Sequence, residues 1–357
     1  MTMTTTYPHL PFAVRLGGRD WTIEKAWPPR GKDHRLSLEL RSRGTLRAGY
    51  ADPDGTVTLL DPDADPALPS LARVARHGQL VAHRPGRRAV VRLDSGRGYA
   101  KVVRPGRADE LRRAHAKGRG FAAGFAIPNL APPSFPTEDV VCFQALPGRP
   151  LSQLGEDAAV SDAVWESAWS SWERGWITAM TSPVADTLPV HDADDEKLIV
   201  RTWARHAAAQ LGGDDRILHA AQQIVDRLWV AGGASALAHR DLHDGQMIWD
   251  AEGGMGLIDL DTCVRADPAL DLGNLAAHVD FAVRQHRWSA ERGRTARSAI
   301  VRTATALGVD AVRLSAWQLA AQFRVSCVNV LRPRWRNAAR AELMRITEER
   351  IDDACET

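Results

Sequence analysis

No run of about 18 apolar residues occurs anywhere in the 357-residue chain, so no transmembrane helix is expected. The start, MTMTTTYPHLPF, lacks a basic segment followed by an apolar one. It does not read as a secretory signal, and its first residues are expected to fray. Cysteine is scarce: Cys142, Cys263, Cys327 and Cys355 lie far apart with no paired spacing. A zinc site or disulfide framework is not expected, and a reducing, cytoplasmic setting fits. Net charge is only +2, which gives no bulk electrostatic case for nucleic acid or an anionic membrane. Internal repeats and low-complexity tracts are also missing. What remains is an ordinary soluble balance, 44% hydrophobic and 25% charged, on a chain long enough for two lobes with a real core.

Residues 12–60 alternate in short β-like pieces such as FAVRL, DWTIEKAW, RLSLELRS and TLRAGYA, punctuated by Gly, Pro and Asp-Pro-Asp-Gly turns. A turn-rich patch, DPDADPALPS, closes this block, and a short helical stretch follows at 71–77. QLVAHR, RAVVRL and YAKVV then form a three-stranded meander with turns at 85–87 and 94–98. Lys101 lies inside its third strand, facing either solvent or a cleft that holds an anion. A helix over 107–118 has Gly118 near its C-terminus. The strand VVCFQ then runs into Pro147-Gly148, where the lobes are expected to hinge. Beyond Leu151 the pattern predicts helices at about 159–181, 194–211, 213–231, 268–286, 290–306, 310–331 and 335–354. The layout is α+β: an N-terminal β-rich cap over 1–75, a β-rich N-lobe and hinge over 76–148, and a helical C-lobe over 149–357.

One hairpin interrupts the helices. Met247–Trp249 and Met255–Ile258 flank the turn-forming run 250–254. Before it stands His239-Arg240-Asp241-Leu242-His243-Asp244-Gly245-Gln246, and after it Ile258-Asp259-Leu260-Asp261. A hairpin with an acid at the mouth of each strand gathers its carboxylates on one edge. That suits holding a metal–nucleotide and a hydroxyl together. These motifs, with Asp267-Pro268-Ala269-Leu270-Asp271-Leu272 downstream, resemble the aminoglycoside phosphotransferase-like branch of the bilobal protein-kinase-like fold, and are similar also to bacterial maltokinases. The upstream QALPGRPL resembles that branch's hinge, and RPGRRAVVRL with YAKVV its N-lobe meander. The resemblance spans roughly 78–331. Maltokinases also carry an extra N-terminal cap, which the 12–60 block matches in position.

The resemblance implies roles residue by residue. Asp241 is the catalytic aspartate that orients or accepts the proton of the acceptor hydroxyl. Gln246, where the family usually has Asn, and Asp259 are the Mg2+ ligands. Lys101 grips the phosphates of ATP (or GTP), with Glu110 as its helix partner. Gln144 and Leu146 of the hinge contact the base. In the turn His83–Arg88, Arg84, Gly86, Arg87 and Arg88 stand in place of a glycine-rich loop, and their backbone amides and guanidinium groups either cover phosphates or form a solvated basic turn. Asp261 is a metal-supporting acid or a solvated turn acid. His243 and Asp244 face either substrate or solvent. His239 packs the loop, and Asp271 accepts its backbone hydrogen bonds.

Two further patterns have alternative readings. Trp165, Trp169, Trp172 and Trp176 fall on one helix face, as a platform for sugar rings or as a core seam. Asp192, Asp194, Asp195 and Glu196 recognise a cationic acceptor or form an acidic first helical turn. The function implied is transfer of the γ-phosphate of ATP or GTP to the hydroxyl of a small molecule, a sugar or amino-sugar. The alternatives are a kinase of peptide or protein Ser/Thr in natural-product maturation, and a catalytically silent nucleotide-binding module. Oligomeric state is not legible.

Overall fold

The structure, a computed structural model, describes residues 6–355 except 30, 32, 95, 97, 133, 134, 137, 184–186 and 229–235. The fraying expected at residues 1–5, and parts of the turn at 94–98, lie outside the described residues. Five strands open the chain: β1 (Ala13–Leu16), β2 (Arg19–Trp27), β3 (Leu36–Ser42), β4 (Thr45–Ala51) and β5 (Val57–Leu59). They form an antiparallel meander in sequence order, and alternation puts Trp21, Ile23, Leu36, Leu38 and Leu40 into one apolar cluster. A short helix α1 (Leu71–Ala75) leads into a second meander, β6 (Gly78–Arg84), β7 (Arg88–Leu93), β8 (Gly98–Val103) and β9 (Val140–Gln144). Between β8 and β9 lies α2 (Ala108–Lys117), followed by a 3-10 turn at Gly118–Ala123.

At the hinge Gly148 has φ of 101°, and a Cβ there would stand 2.3 Å from the Trp249 carbonyl oxygen. Only glycine lets the chain turn this close to the hairpin. Past it come β10 (Arg149–Pro150), α3 (Leu151–Glu156), α4 (Asp162–Met180), α5 (Ala193–Gln210) and α6 (Asp215–Arg227). The hairpin region follows as β11 (Ala236–Ala238), β12 (Met247–Asp250), β13 (Gly254–Leu257) and β14 (Val264–Ala266), and α7 (Ala269–Arg284), α8 (Ala290–Ala306), α9 (Ala311–Asn329) and α10 (Arg336–Cys355) complete the chain.

The expected hairpin forms, with Met247 opposite Leu257 and Asp250 opposite Gly254. Its turn is closed by the Asp250 carboxylate, which accepts from the Gly253 amide at 2.7 Å. The four indoles of α4 are completely buried, so they are the core seam and not a sugar platform. Among the described residues, only the Trp165 indole N–H of the four finds an acceptor, the Arg292 carbonyl, at 3.1 Å. The acidic run resolves as a helix start: Asp192 caps α5 in a reciprocal capping box with Asp195. Glu196 is buried against His191 at 3.2 Å.

Candidate active site

Between the β6–β9 sheet and the β12–β13 hairpin lies a cavity of about 580 Å³. Val81, Val90, Phe143, Ile248 and Ile258 give it apolar walls, while Arg88, Lys101, Asp259 and Asp261 charge one end. Gln144 and Leu146 border it from the hinge. The Leu146 side chain overlies Gly256 of the hairpin, where a Cβ would meet its Cδ1 at 2.7 Å. An apolar slot with one charged end suits a flat base joined to a polyphosphate.

Lys101 is buried on β8, paired across the sheet with Val90 and Val141. Its Nζ donates to Asp259 Oδ1 at 2.8 Å and to Asp261 Oδ2 at 2.7 Å. Of the two readings open for Lys101, the cleft is therefore the one observed. The pair with Glu110 is not formed. The inward face of α2 carries Ala108, Leu111 and His115, which leaves Glu110 on the outer face in an exposed ion pair with Arg107 at 2.8 Å. His115 lines the cavity instead and donates from Nε2 to the Pro128 carbonyl at 2.9 Å.

Asp259 has left-handed backbone, φ 63°, uncommon for a residue with a Cβ and frequent at functional sites. A 3-10 turn over Leu260–Thr262 follows, so Asp261 reaches Lys101 by a tight turn and not by strand alternation. Burial opposes ionisation of Asp259, but the Lys101 cation outweighs it and holds the carboxyl far below its usual range. Burial and the Asp259 charge push Asp261 upward. Asp261 Oδ1 is buried without a hydrogen-bond partner among the described residues.

The segment 239–246 is held from α7. Asp271 accepts from the His239 amide at 2.6 Å and the Arg240 amide at 2.9 Å, and Asn274 donates to the Leu242 carbonyl at 2.8 Å. His239 is fully buried and its Nε2 donates to the Ile258 carbonyl at 2.9 Å. It ties the loop to the residues just after β13 that lead into Asp259, which is a packing role. Burial raises the Asp271 carboxyl to about 6 despite those two amide bonds. Asp241 is half-buried in this loop and outside the cavity lining, and its charge is felt by His243. Gln246 is buried and lines the cavity with Asp259.

Asp244 does not face the mouth. It is buried, bonded to Arg287 at 3.1 Å, and held down to about 2: burial opposes that shift, but His243 and Arg287 outweigh it. His243 keeps partial exposure and stacks on His278, centroids 5.1 Å apart. In the turn before β7, Arg84 does not reach the cavity. Its guanidinium lies over Trp27 of the cap, 5.0 Å from the ring centroid. Arg87 is likewise outside the cavity lining, whereas Arg88 and Arg92 are in it. Period two carries that signal: 88, 90 and 92 share the face of β7 on which Val90 stands beside Lys101.

A β-rich lobe joined by a glycine hinge to a helical lobe, with a lysine–carboxylate pair across the cleft, defines a phosphotransferase of the protein-kinase-like fold. The chain belongs to the phosphotransferase enzyme family, whose model matches residues 80–314. It is an enzyme of phosphoryl transfer to an alcohol group. Among solved structures it is similar to aminoglycoside phosphotransferase APH(3'')-Id from Streptomyces rimosus, at 18% identity and TM-score 0.53, over 72% of this chain and 96% of that one. A macrolide 2'-phosphotransferase type I aligns at 17% identity and TM-score 0.50, over 78% and 94%. APH(2")-IIa, in a ternary complex with streptomycin and ATP, aligns at 12% identity and TM-score 0.50, over 77% and 94%. These likenesses show the fold. No curated protein matches the chain in sequence. No helix among the described residues is long and apolar enough to cross a membrane.

Proposed function

We propose that the protein transfers the γ-phosphoryl group of ATP or GTP to a hydroxyl of a small molecule, a sugar or amino-sugar. The observation that carries this reading is Lys101 bonded to Asp259 and Asp261 at the charged end of an apolar-walled cavity. Lys101 would balance the nucleotide phosphates as a point charge. Asp241 would orient the acceptor hydroxyl and take its proton as the new P–O bond forms and the bond to the diphosphate breaks. Catalysis is then mostly positioning and charge neutralisation.

Magnesium fits the oxygen donors here. Among the described residues no three His, Cys, Asp or Glu side chains form a metal-holding group, but magnesium bound with nucleotide takes most of its ligands from phosphate and water. Asp259 and Gln246 would hold it, and the unpartnered buried Oδ1 of Asp261 is a further hard donor beside them. Bound there, the ion would supply positive charge against the phosphates. The extra methylene of Gln246 relative to the family's usual Asn keeps the carbonyl oxygen that this role needs.

Three carboxylates of the helical lobe are already paired with arginines, which supports a neutral sugar over a polycation. Asp244 is bonded to Arg287, Glu196 lies 3.3 Å from Arg324, and Asp280 lies 2.6 Å from Arg297. None of the three is free to receive an ammonium group. The test is a screen of sugars, aminoglycosides and nucleosides for acceptor-dependent consumption of nucleotide. With the acceptor found, Asp241→Ala is expected to lower kcat about 10²–10⁴-fold while nucleotide binding stays at the wild-type level. Wild-type turnover in that variant would remove Asp241 from the mechanism.

A further inference from the structure

The turn between β6 and β7 leads directly into Arg88, which lines the charged end of the cavity, and it holds the position at which backbone amides of a glycine-rich loop would cradle phosphates. In this chain those amides are already committed. The Gly86 N–H donates to Asp65 Oδ2 at 2.7 Å, and the Arg87 N–H donates to the Arg84 carbonyl at 3.1 Å. Within β6, two residues before the turn, the His83 N–H donates to Glu39 Oε2 at 2.8 Å. The Gly86 carbonyl accepts from Arg104 Nε at 2.6 Å. Asp65 and Glu39 both come from the N-terminal block, and both are buried. Asp65 also takes His83 Nε2 at 3.0 Å and the Ala67 amide at 2.9 Å. The turn is thus clamped from behind and has lost the amide nest that binds anions.

A side chain on the same strand is placed to substitute. Arg88 lies on the cavity face of β7, two residues toward the turn from Val90, the cross-strand partner of Lys101. That offset is about 7 Å along the strand, on the side away from the hinge. Its Nη1 stands 3.9 Å from Asp261 Oδ2, the oxygen that also receives Lys101. The contact is long and the side chain is 48% exposed, so little is given up when the guanidinium turns to another anion. Guanidinium groups suit phosphate because two N–H bonds can meet two oxygens at once. We propose that Arg88 is the donor to the terminal phosphate of the bound nucleotide, replacing the turn amides that Asp65 and the Arg84 carbonyl have taken out of use. This rests on the nucleotide-binding reading of the same cavity.

The experiment measures equilibrium binding of a non-hydrolysable ATP analogue and of ADP, with magnesium, to the full-length wild type, Arg88→Ala, Arg88→Lys and Lys101→Ala. Arg88→Ala is expected to weaken the triphosphate analogue about 10-fold or more and ADP by less than threefold, with Arg88→Lys in between. Lys101→Ala should weaken both ligands. If Arg88→Ala leaves both affinities unchanged, or weakens ATP analogue and ADP equally, the assignment of Arg88 is overturned while the cavity remains a nucleotide site. If the folded wild type binds neither nucleotide, the reading of the cavity falls and Arg88 with it. Should Arg88→Ala unfold, Arg88→Gln is judged by the same ratio.

Discussion

His243 sits between opposing influences. Burial favours its neutral form, but the carboxylates of Asp244, Asp241 and Asp259 outweigh burial and raise its pKa above 6.5. The stacked His278 is driven well below its usual value by burial and by the charge on His243. Protonation is therefore favoured on His243, beside Asp244, over His278. A histidine whose pKa is raised on folding binds its proton more tightly in the native state, so its contribution is complete below pH 6.5. It is lost as pH climbs through the raised value. Melting temperatures across pH 6 to 9 should accordingly fall more for the wild type than for His243→Asn, once each is normalised to its own value at pH 6. Parallel curves would mean that the imidazolium adds nothing to the fold.

At the scale of elements, α4 carries the largest side chains of the core. Trp176 packs on Phe121 with centroids 5.4 Å apart, on Phe125 at 6.0 Å and on Trp172 at 5.9 Å. Its indole N–H has no acceptor among the described residues, so truncation removes contacts without stranding a bonded partner. Trp176→Ala is expected to cost about 3–5 kcal/mol in chemical denaturation. A loss below about 1 kcal/mol would mean that the helix collapses into the space. This helix is also where sequence reading is strongest. Indoles spaced 4, 3 and 4 apart leave no other face to bury, and the span expected at 159–181 appears as Asp162–Met180. The hairpin and its acids were equally legible, because turn residues and short apolar pieces fix a local register. Legibility fails where a partner is set by tertiary placement. Glu110 is the sole glutamate of α2, yet helical phase points it to solvent and brings His115 to the cavity. Arg84 and Arg88 look equivalent in a basic turn. Which of them faces the cavity depends on the Trp27 ring from a sheet some sixty residues earlier in the chain.

The whole molecule is braced in a way the short hinge does not suggest. Toward the N-lobe, the cap clamps His83 and Gly86 through Glu39 of its sheet and Asp65 of the segment that follows, and Leu46 of β4 joins the N-lobe core. Toward the C-lobe, Leu331 just past α9 is fully buried in the cap's own cluster with Leu10, Trp21 and Ile23. Tyr7 Oη bonds His206 Nδ1 at 2.7 Å, and Arg336 donates to the Leu10 carbonyl at 2.8 Å. One sheet therefore spans both lobes, and opening the cleft about Gly148 alone would strain one set of contacts or the other. The cap is then part of the cooperative unit, even though it comes from a separate stretch of sequence. Leu331→Ala tests this, because it opens the cap's core from the C-lobe side. The substitution should cost about 2–5 kcal/mol and lower a single thermal transition seen together by tryptophan fluorescence and far-UV circular dichroism. A wild type that melts in two separated steps, with Leu331→Ala shifting only the first, would show instead a cap that folds and releases on its own. In that case the clamp on the β6–β7 turn would loosen before the catalytic lobe did.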